Sequence, residues 1–114
     1  MRRDRQRLQD ILDALNSVID MIGEKTQDEF LQDEVLRYAV AHQLTVVGEA
    51  ASRLGQDIRT DHSSIPWPDI VGLRNILVHE YFGIHWPLVF QTATDHVPAL
   101  RAAVENIIAA EFQD

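Results

Sequence analysis

With 114 residues, 46% apolar and 25% charged, the chain has the size and composition of one soluble globular domain, large enough to build a core without covalent staples. The absence of cysteine excludes a disulfide framework, a thiolate nucleophile and a zinc ribbon. A formal net charge of −8 argues against a surface that coats nucleic acid through broad electrostatics, so any such chemistry has to depend on a few positioned arginines or on a basic partner.

The N-terminus carries Arg2, Arg3, Arg5 and Arg7, four of the ten basic residues, together with one of the eighteen acidic ones, which leaves six bases facing seventeen acids in the remainder. This arm reads as a solvated, frayed terminus. No continuous apolar stretch follows it that would serve as a signal peptide, and no run approaches the roughly 18 to 20 residues of a membrane span. The expected setting is cytoplasmic, with no membrane contact. Leu8, Ile11, Leu12, Leu15, Val18, Ile19 and Ile22 recur at steps of three and four, which predicts an amphipathic helix ending near Gly23. Asp28 is the expected N-cap of a second, longer helix, with Phe30, Val35, Tyr38, Ala39, His42, Val46 and Ala50 on one face and Leu54-Gly55 as its stop. Residues 56 to 65 are rich in Asp, Ser and Thr and read as a loop. Pro66-Trp67-Pro68-Asp69 opens a third helix with Ile70, Leu73 and Leu77 as its core stripe, running to about Phe82, where Gly83 breaks it. A fourth helix starts near His85 or Trp86 and is kinked or split at Pro98, after which Leu100, Val104 and Ile107 point inward. No segment alternates with period two, and no linker or repeat divides the chain. The expected fold is all-α, an antiparallel bundle of four long helices within a single domain spanning residues 1–114.

Residues 73–83, Leu-Arg-Asn-Ile-Leu-Val-His-Glu-Tyr-Phe-Gly, depart from ordinary helix composition. Arg74, His79 and Tyr81 stand in an otherwise apolar run, with Asn75 beside them. At about 100° per residue, Arg74 and Tyr81 share one face, Asn75 and His79 share the adjacent one, and Arg74 and His79 lie roughly 140° apart. A two-fold pair of chains brings both motifs into one cleft. Spacing alone leaves another reading open, with Arg74 a surface ion-pair partner, His79 a satisfied buried imidazole and Tyr81 a core aromatic. The histidines outside the motif lack metal-ligand spacing, so neither a metal nor another cofactor is expected. Trp67 and Trp86 read as caps of the bundle rather than as stacking platforms for bases.

Arg74-Asn75-Ile76-Leu77-Val78-His79-Glu80-Tyr81 resembles the Arg-x4-His-x-Tyr signature of the HepT-like toxins, a branch of the HEPN superfamily of all-α ribonucleases. The resemblance covers nearly the whole chain. Val47-Gly48-Glu49-Ala50-Ala51 is similar to the family's Ile-Gly-Glu-Ala block with Val in place of Ile, Tyr81-Phe82-Gly83-Ile84 continues the motif, and Val97-Pro98-Ala99-Leu100 resembles a Leu-Pro-x-Leu element near the C-terminus. The resemblance implies a toxin that dimerises and cleaves RNA without a metal. In that setting the 2′-hydroxyl is the nucleophile, and the protein moves protons and stabilises an anionic phosphorane. His79 is then the general acid or base and Arg74 the phosphate clamp, because imidazole titrates near neutral pH and guanidinium presents a fork of donors. Asn75 is an accessory residue that hydrogen-bonds substrate or orients His79. Glu49 is a second accessory residue that pairs with Arg74, or else an exposed Glu that only solubilises its helix. The resemblance further implies a partner, a minimal nucleotidyltransferase antitoxin of the MntA type, which silences the toxin by transferring AMP to Tyr81. The alternative function is a non-catalytic helical module that binds nucleotide or this transferase through the same cleft, a reading the charge of −8 favours.

Overall fold

The computed structural model describes residues 2–112, with Arg2 and Tyr81 described by their backbone alone. The first helix, α1, spans Arg2–Ile22 and therefore takes in the basic arm that the sequence reads as frayed. Two long-range contacts hold that arm in place. Asp4 is buried and accepts from the Gly55 backbone N–H at 3.0 Å, and Arg7 donates to the Arg53 carbonyl at 2.9 Å. The apolar stripe of α1 falls where its periodicity puts it, with Leu8, Ile11, Leu15 and Val18 fully buried. Gly23 ends the helix in the left-handed region at φ +51°, and its N–H bonds the Ile19 carbonyl at 2.9 Å.

The second long helix of the sequence reading is two helices. Thr26, not Asp28, caps α2 (Gln27–Gln32), and it does so in a reciprocal box with Glu29. Asp33 then leaves helical geometry, and its carboxylate accepts from the Leu36 N–H at 3.0 Å to start α3 (Glu34–Ser52). An extended residue between two helices resets the helical phase. A face projected across Asp33 therefore holds only in part: Phe30 and Ala50 are buried as expected, but Val35 is 78% exposed and Tyr38 and His42 face outward, while Leu36, Val40, Leu44, Val47 and Ala51 form most of the buried stripe. Residues 56–65 are also not all loop. They contain α4 (Gln56–Asp61), which buries Ile58 and is tied to α3 by Arg59, a donor to the Ala51 carbonyl at 2.8 Å.

The next helix, α5 (Trp67–His79), starts at the Pro-Trp-Pro signal, and the indole of Trp67 is buried with its N–H bonded to the His62 carbonyl at 3.2 Å. It stops at His79 and not at Phe82, because the chain tightens into a 3₁₀ turn over Tyr81–Gly83, as helix ends commonly do. After α6 (Trp86–Gln91), residues Thr92–His96 form one π turn that leads into α7 (Val97–Glu111). Pro98 accounts for the irregularity, since its ring has no N–H to give and crowds the carbonyl four residues earlier. Thr94 compensates locally by donating to the Phe90 and Gln91 carbonyls.

The bundle is ordered α5, α3, α1, α7, each helix packing on the next, while α2 and α6 close one end through Phe30, Trp86 and Phe90. Helices α5 and α7 barely touch. Between α5 and the α6–α7 segment lies an apolar groove of about 670 Å³ that reaches down to Leu15, Leu44 and Val47. Among the described residues, no helix is long and apolar enough to cross a membrane.

Candidate functional site

The site grows from one close approach between α3 and α5. A Cβ built on Gly48 would lie 2.2 Å from Cβ of Arg74 and 3.1 Å from the Ile70 carbonyl oxygen, so the two helices meet here only because residue 48 lacks a side chain. Arg74 is thereby pressed against the α3 backbone, and its guanidinium runs along the helix to the adjacent residue, Glu49. Its Nε donates to Oε2 of Glu49 at 2.9 Å and its Nη2 donates to the same oxygen. Nη1 donates to Oδ1 of Asn75 at 2.6 Å. Of the five N–H donors of a guanidinium, these bonds engage three and leave one on each Nη nitrogen for an incoming acceptor.

Glu49 is shared. Its second oxygen, Oε1, accepts from Nε and Nη2 of Arg53 at 3.3 and 3.2 Å. Hydrogen bonding from Arg74 first, and from Arg53 second, holds the Glu49 carboxyl below its ordinary value of 4.5 against the opposing pull of partial burial. One anion lies between two cations, so the trio carries a net charge of +1 on a strongly acidic protein.

The structure brings Arg74, Glu49 and Asn75 together and leaves His79 apart. His79 is the last residue of α5, one and a half turns beyond Arg74, exposed, and makes no hydrogen bond or ion pair among the described residues. It is therefore not a buried imidazole. Asn75 bonds Arg74 in the isolated chain, so its amide oxygen is engaged away from His79. The backbone of Tyr81, the expected AMP acceptor, lies in the 3₁₀ turn, and its side chain is outside the described ones. Among the described residues, no group of three or more His, Asp or Glu side chains is placed to hold a metal ion. Trp86 packs edge-on against Phe30 and lies under the Arg37 guanidinium, a structural placement like that of Trp67. Sequence reasoning missed Arg53, although Glu49 and Arg53 stand four residues apart in the order that favours a helical ion pair.

A family model described as Ribonuclease HepT-like matches residues 11–107, a span that takes in Glu49, Arg53, Arg74, Asn75 and His79. The chain belongs to the HepT-like ribonuclease family. Several relatives match over most of their own length. The Methanocaldococcus jannaschii protein named "Putative RNase MJ1380" is 39% identical over 88% of this chain and 92% of its own length. The Caldanaerobacter subterraneus protein named "Putative RNase TTE0752" is 32% identical over 97% and 99%. A Thermococcus cleftensis protein named "Probable ribonuclease HepT" is 28% identical over 93% and 96%. No solved structure matches the chain at a significant level. For a HepT-like protein, the all-α bundle and its kinked last segment are the expected architecture, and the Gly-Glu block on α3 has a physical reason: the glycine admits α5 and the glutamate receives its arginine.

Proposed function

We propose that this chain, acting as a single HEPN domain, is the toxin of a toxin–antitoxin pair and a metal-independent endoribonuclease. The observation that carries this reading is the family match across the whole Arg74 to His79 motif, in a chain whose relatives are named as RNases. Arg74 binds the scissile phosphate through its two remaining N–H groups, held in position by Glu49 and Asn75. The 2′-hydroxyl attacks the adjacent phosphorus, its proton passes to a base, and the departing 5′-oxygen takes a proton from an acid. His79 supplies one of these transfers in each chain. A two-fold dimer supplies both, with one His79 as base and its partner's copy as acid. Ile76 on α5 and Leu88 on α6, 44% and 54% exposed and lining the same apolar groove, give that association an apolar surface.

Control falls to a nucleotidyltransferase antitoxin that transfers AMP from ATP to the Tyr81 phenol with release of pyrophosphate. The added phosphate brings negative charge within two residues of His79, where it competes with the RNA phosphate for Arg74. A cytoplasmic setting follows from this substrate and this partner. Purified protein is expected to cleave RNA in EDTA, with loss of cleavage but retained helical circular dichroism in Arg74→Ala and His79→Ala. Full activity in both variants removes the catalytic assignment, and RNA or nucleotide binding without cleavage supports the non-catalytic module that the charge of −8 favours. Tyr81→Phe is expected to cleave RNA and to resist silencing by the transferase. A Tyr81→Phe protein that is still adenylylated and silenced places the acceptor elsewhere.

A further inference from the structure

The −8 chain places three arginines, on α1, just past the end of α3 and on α5, along one surface. Arg7 on α1 donates to the carbonyl of Arg53 at 2.9 Å, the side chain of Arg53 reaches Glu49, and Glu49 reaches Arg74 on α5. Arg7, Arg53 and Glu49 line one end of a groove of about 570 Å³ between α1 and α3, and Glu49 joins this groove to Arg74 through its hydrogen bonds. Arg53 is 62% exposed at its side chain and spends two of its five donors on Glu49. Glu49 alone does not neutralise it, because the same carboxylate also serves Arg74. Two guanidinium groups thus stand on either side of a single carboxylate, each with unused donors, at a separation set by one carboxyl group and two hydrogen bonds. Further along the groove the charge reverses, since Asp10 and Asp13 line it on the α1 side, where Gln6 and Gln9 donate to them.

We propose that Arg53 is a second phosphate-binding residue, which holds the phosphate next to the one clamped by Arg74, and that Asp10 and Asp13 exclude a third. The substrate class is single-stranded RNA, whose flexible backbone can lay two consecutive phosphates across the two arginines. This inference rests on the ribonuclease reading of Arg74. Arg53 has no part in proton transfer, so it governs how tightly and in which register the strand is held, and the acidic end of the groove limits the footprint on that side.

Binding of a short single-stranded RNA to His79→Ala protein, followed by fluorescence anisotropy across a salt series, tests this without cleavage of the probe. Adding Arg53→Gln is expected to weaken binding several-fold at low salt and to reduce the slope of log affinity against log salt by about 0.7, the increment for one phosphate on a single strand. Asp10→Asn with Asp13→Asn is expected to tighten binding. An unchanged slope in Arg53→Gln overturns the proposal, as does a drop that vanishes in a Glu49→Gln background, because Arg53 would then act only by steering Arg74 through the shared carboxylate. Wild-type protein that cleaves RNA with no dependence on Arg53 sinks this subsite and leaves the ribonuclease reading intact. Arg53-dependent RNA binding by a wild-type protein that never cleaves does the reverse.

Discussion

At residue 74, α5 lies so close to α3 that only a glycine fits between them, and the arginine there is bonded on three of its nitrogens. Five residues later, at His79, the same helix has run out into solvent and offers an imidazole with no bonded neighbour among the described residues. The two ends of one motif are thus prepared to different degrees. A phosphate clamp gains from being fixed in advance, because its hydrogen bonds then need no reorganisation as charge develops. A proton-transfer group, the role proposed for His79, has to meet substrate, and an exposed position at a helix end leaves it accessible. On the proposed mechanism, folding of one chain completes the first half of the site and leaves the second half open.

Exchanging the open residue is expected to have the largest effect on chemistry and almost none on the fold. His79→Ala should lower the cleavage rate by about 10²–10⁴-fold, the usual value of a general acid or base, while its folding stability stays within about 0.5 kcal/mol of wild type. Single-turnover cleavage and calorimetry on the same sample separate the two. A large loss of stability would mean that the open end of α5 is structural after all.

The buried end should respond in the opposite way. Gly48→Ala drives a methyl group into Arg74 and is expected to cost about 1–3 kcal/mol, seen as a fall of several degrees in melting temperature, together with reduced cleavage as Arg74 moves off Glu49. Gly72→Ala, on the same α5 helix, provides the contrast. A Cβ there meets nothing within 4 Å, so the substitution should be neutral or stabilise by about 0.5–1 kcal/mol through helix propensity. Equal melting temperatures for the two variants would break the argument for a tight α3–α5 contact.

The pH dependence of Glu49 sharpens the comparison further. Its carboxyl titrates lower in the folded chain than in the unfolded one, so the folded state gains from the ionised form above pH 4.5 and loses that gain as pH falls through the lowered value. The melting-temperature difference between wild type and Glu49→Gln should therefore stay level from pH 6 to 8 and shrink below about pH 4.5. A difference that already changes between pH 6 and 8 would mean that Glu49 is not what titrates. The smallest effect is expected far from the site. His62 and Glu111 pair at 2.5 Å across the α4–α5 connection and the end of α7, with both side chains partly exposed, so Glu111→Gln should cost at most about 1 kcal/mol and leave cleavage unchanged.

Much of this molecule was legible from local pattern. The stripe on α1, the Pro-Trp-Pro start of α5, the break before α7 and the inward Val104 and Ile107 all fall where periodicity and capping chemistry put them. Errors arose where a local signal was ambiguous. Asp28 and Thr26 are both acceptable caps, and only the reciprocal bond with Glu29 selects Thr26. Asp33 looks like an ordinary acidic residue inside a helix until its carboxylate turns back onto the Leu36 N–H, and the face read across it then puts Val35, Tyr38 and His42 on the wrong side, although Phe30 and Ala50 fall inward. The basic arm reads as frayed because its two restraints, Gly55 and Arg53, lie more than forty residues away.

The sequence by itself determined the all-α class, the helical phase of α1 and α7 and the order of Arg74, Asn75 and His79 along one helix. These depend on hydrogen bonds and side-chain spacing within three or four residues, which a linear pattern records in full. Only the tertiary structure decided that Arg74 meets Glu49 across Gly48, that Arg53 shares the same carboxylate, and that His79 is left outside. Those outcomes depend on how far apart two helices settle, and that distance is set by the summed packing of side chains from α1, α3 and α5 rather than by any residue's neighbours in sequence.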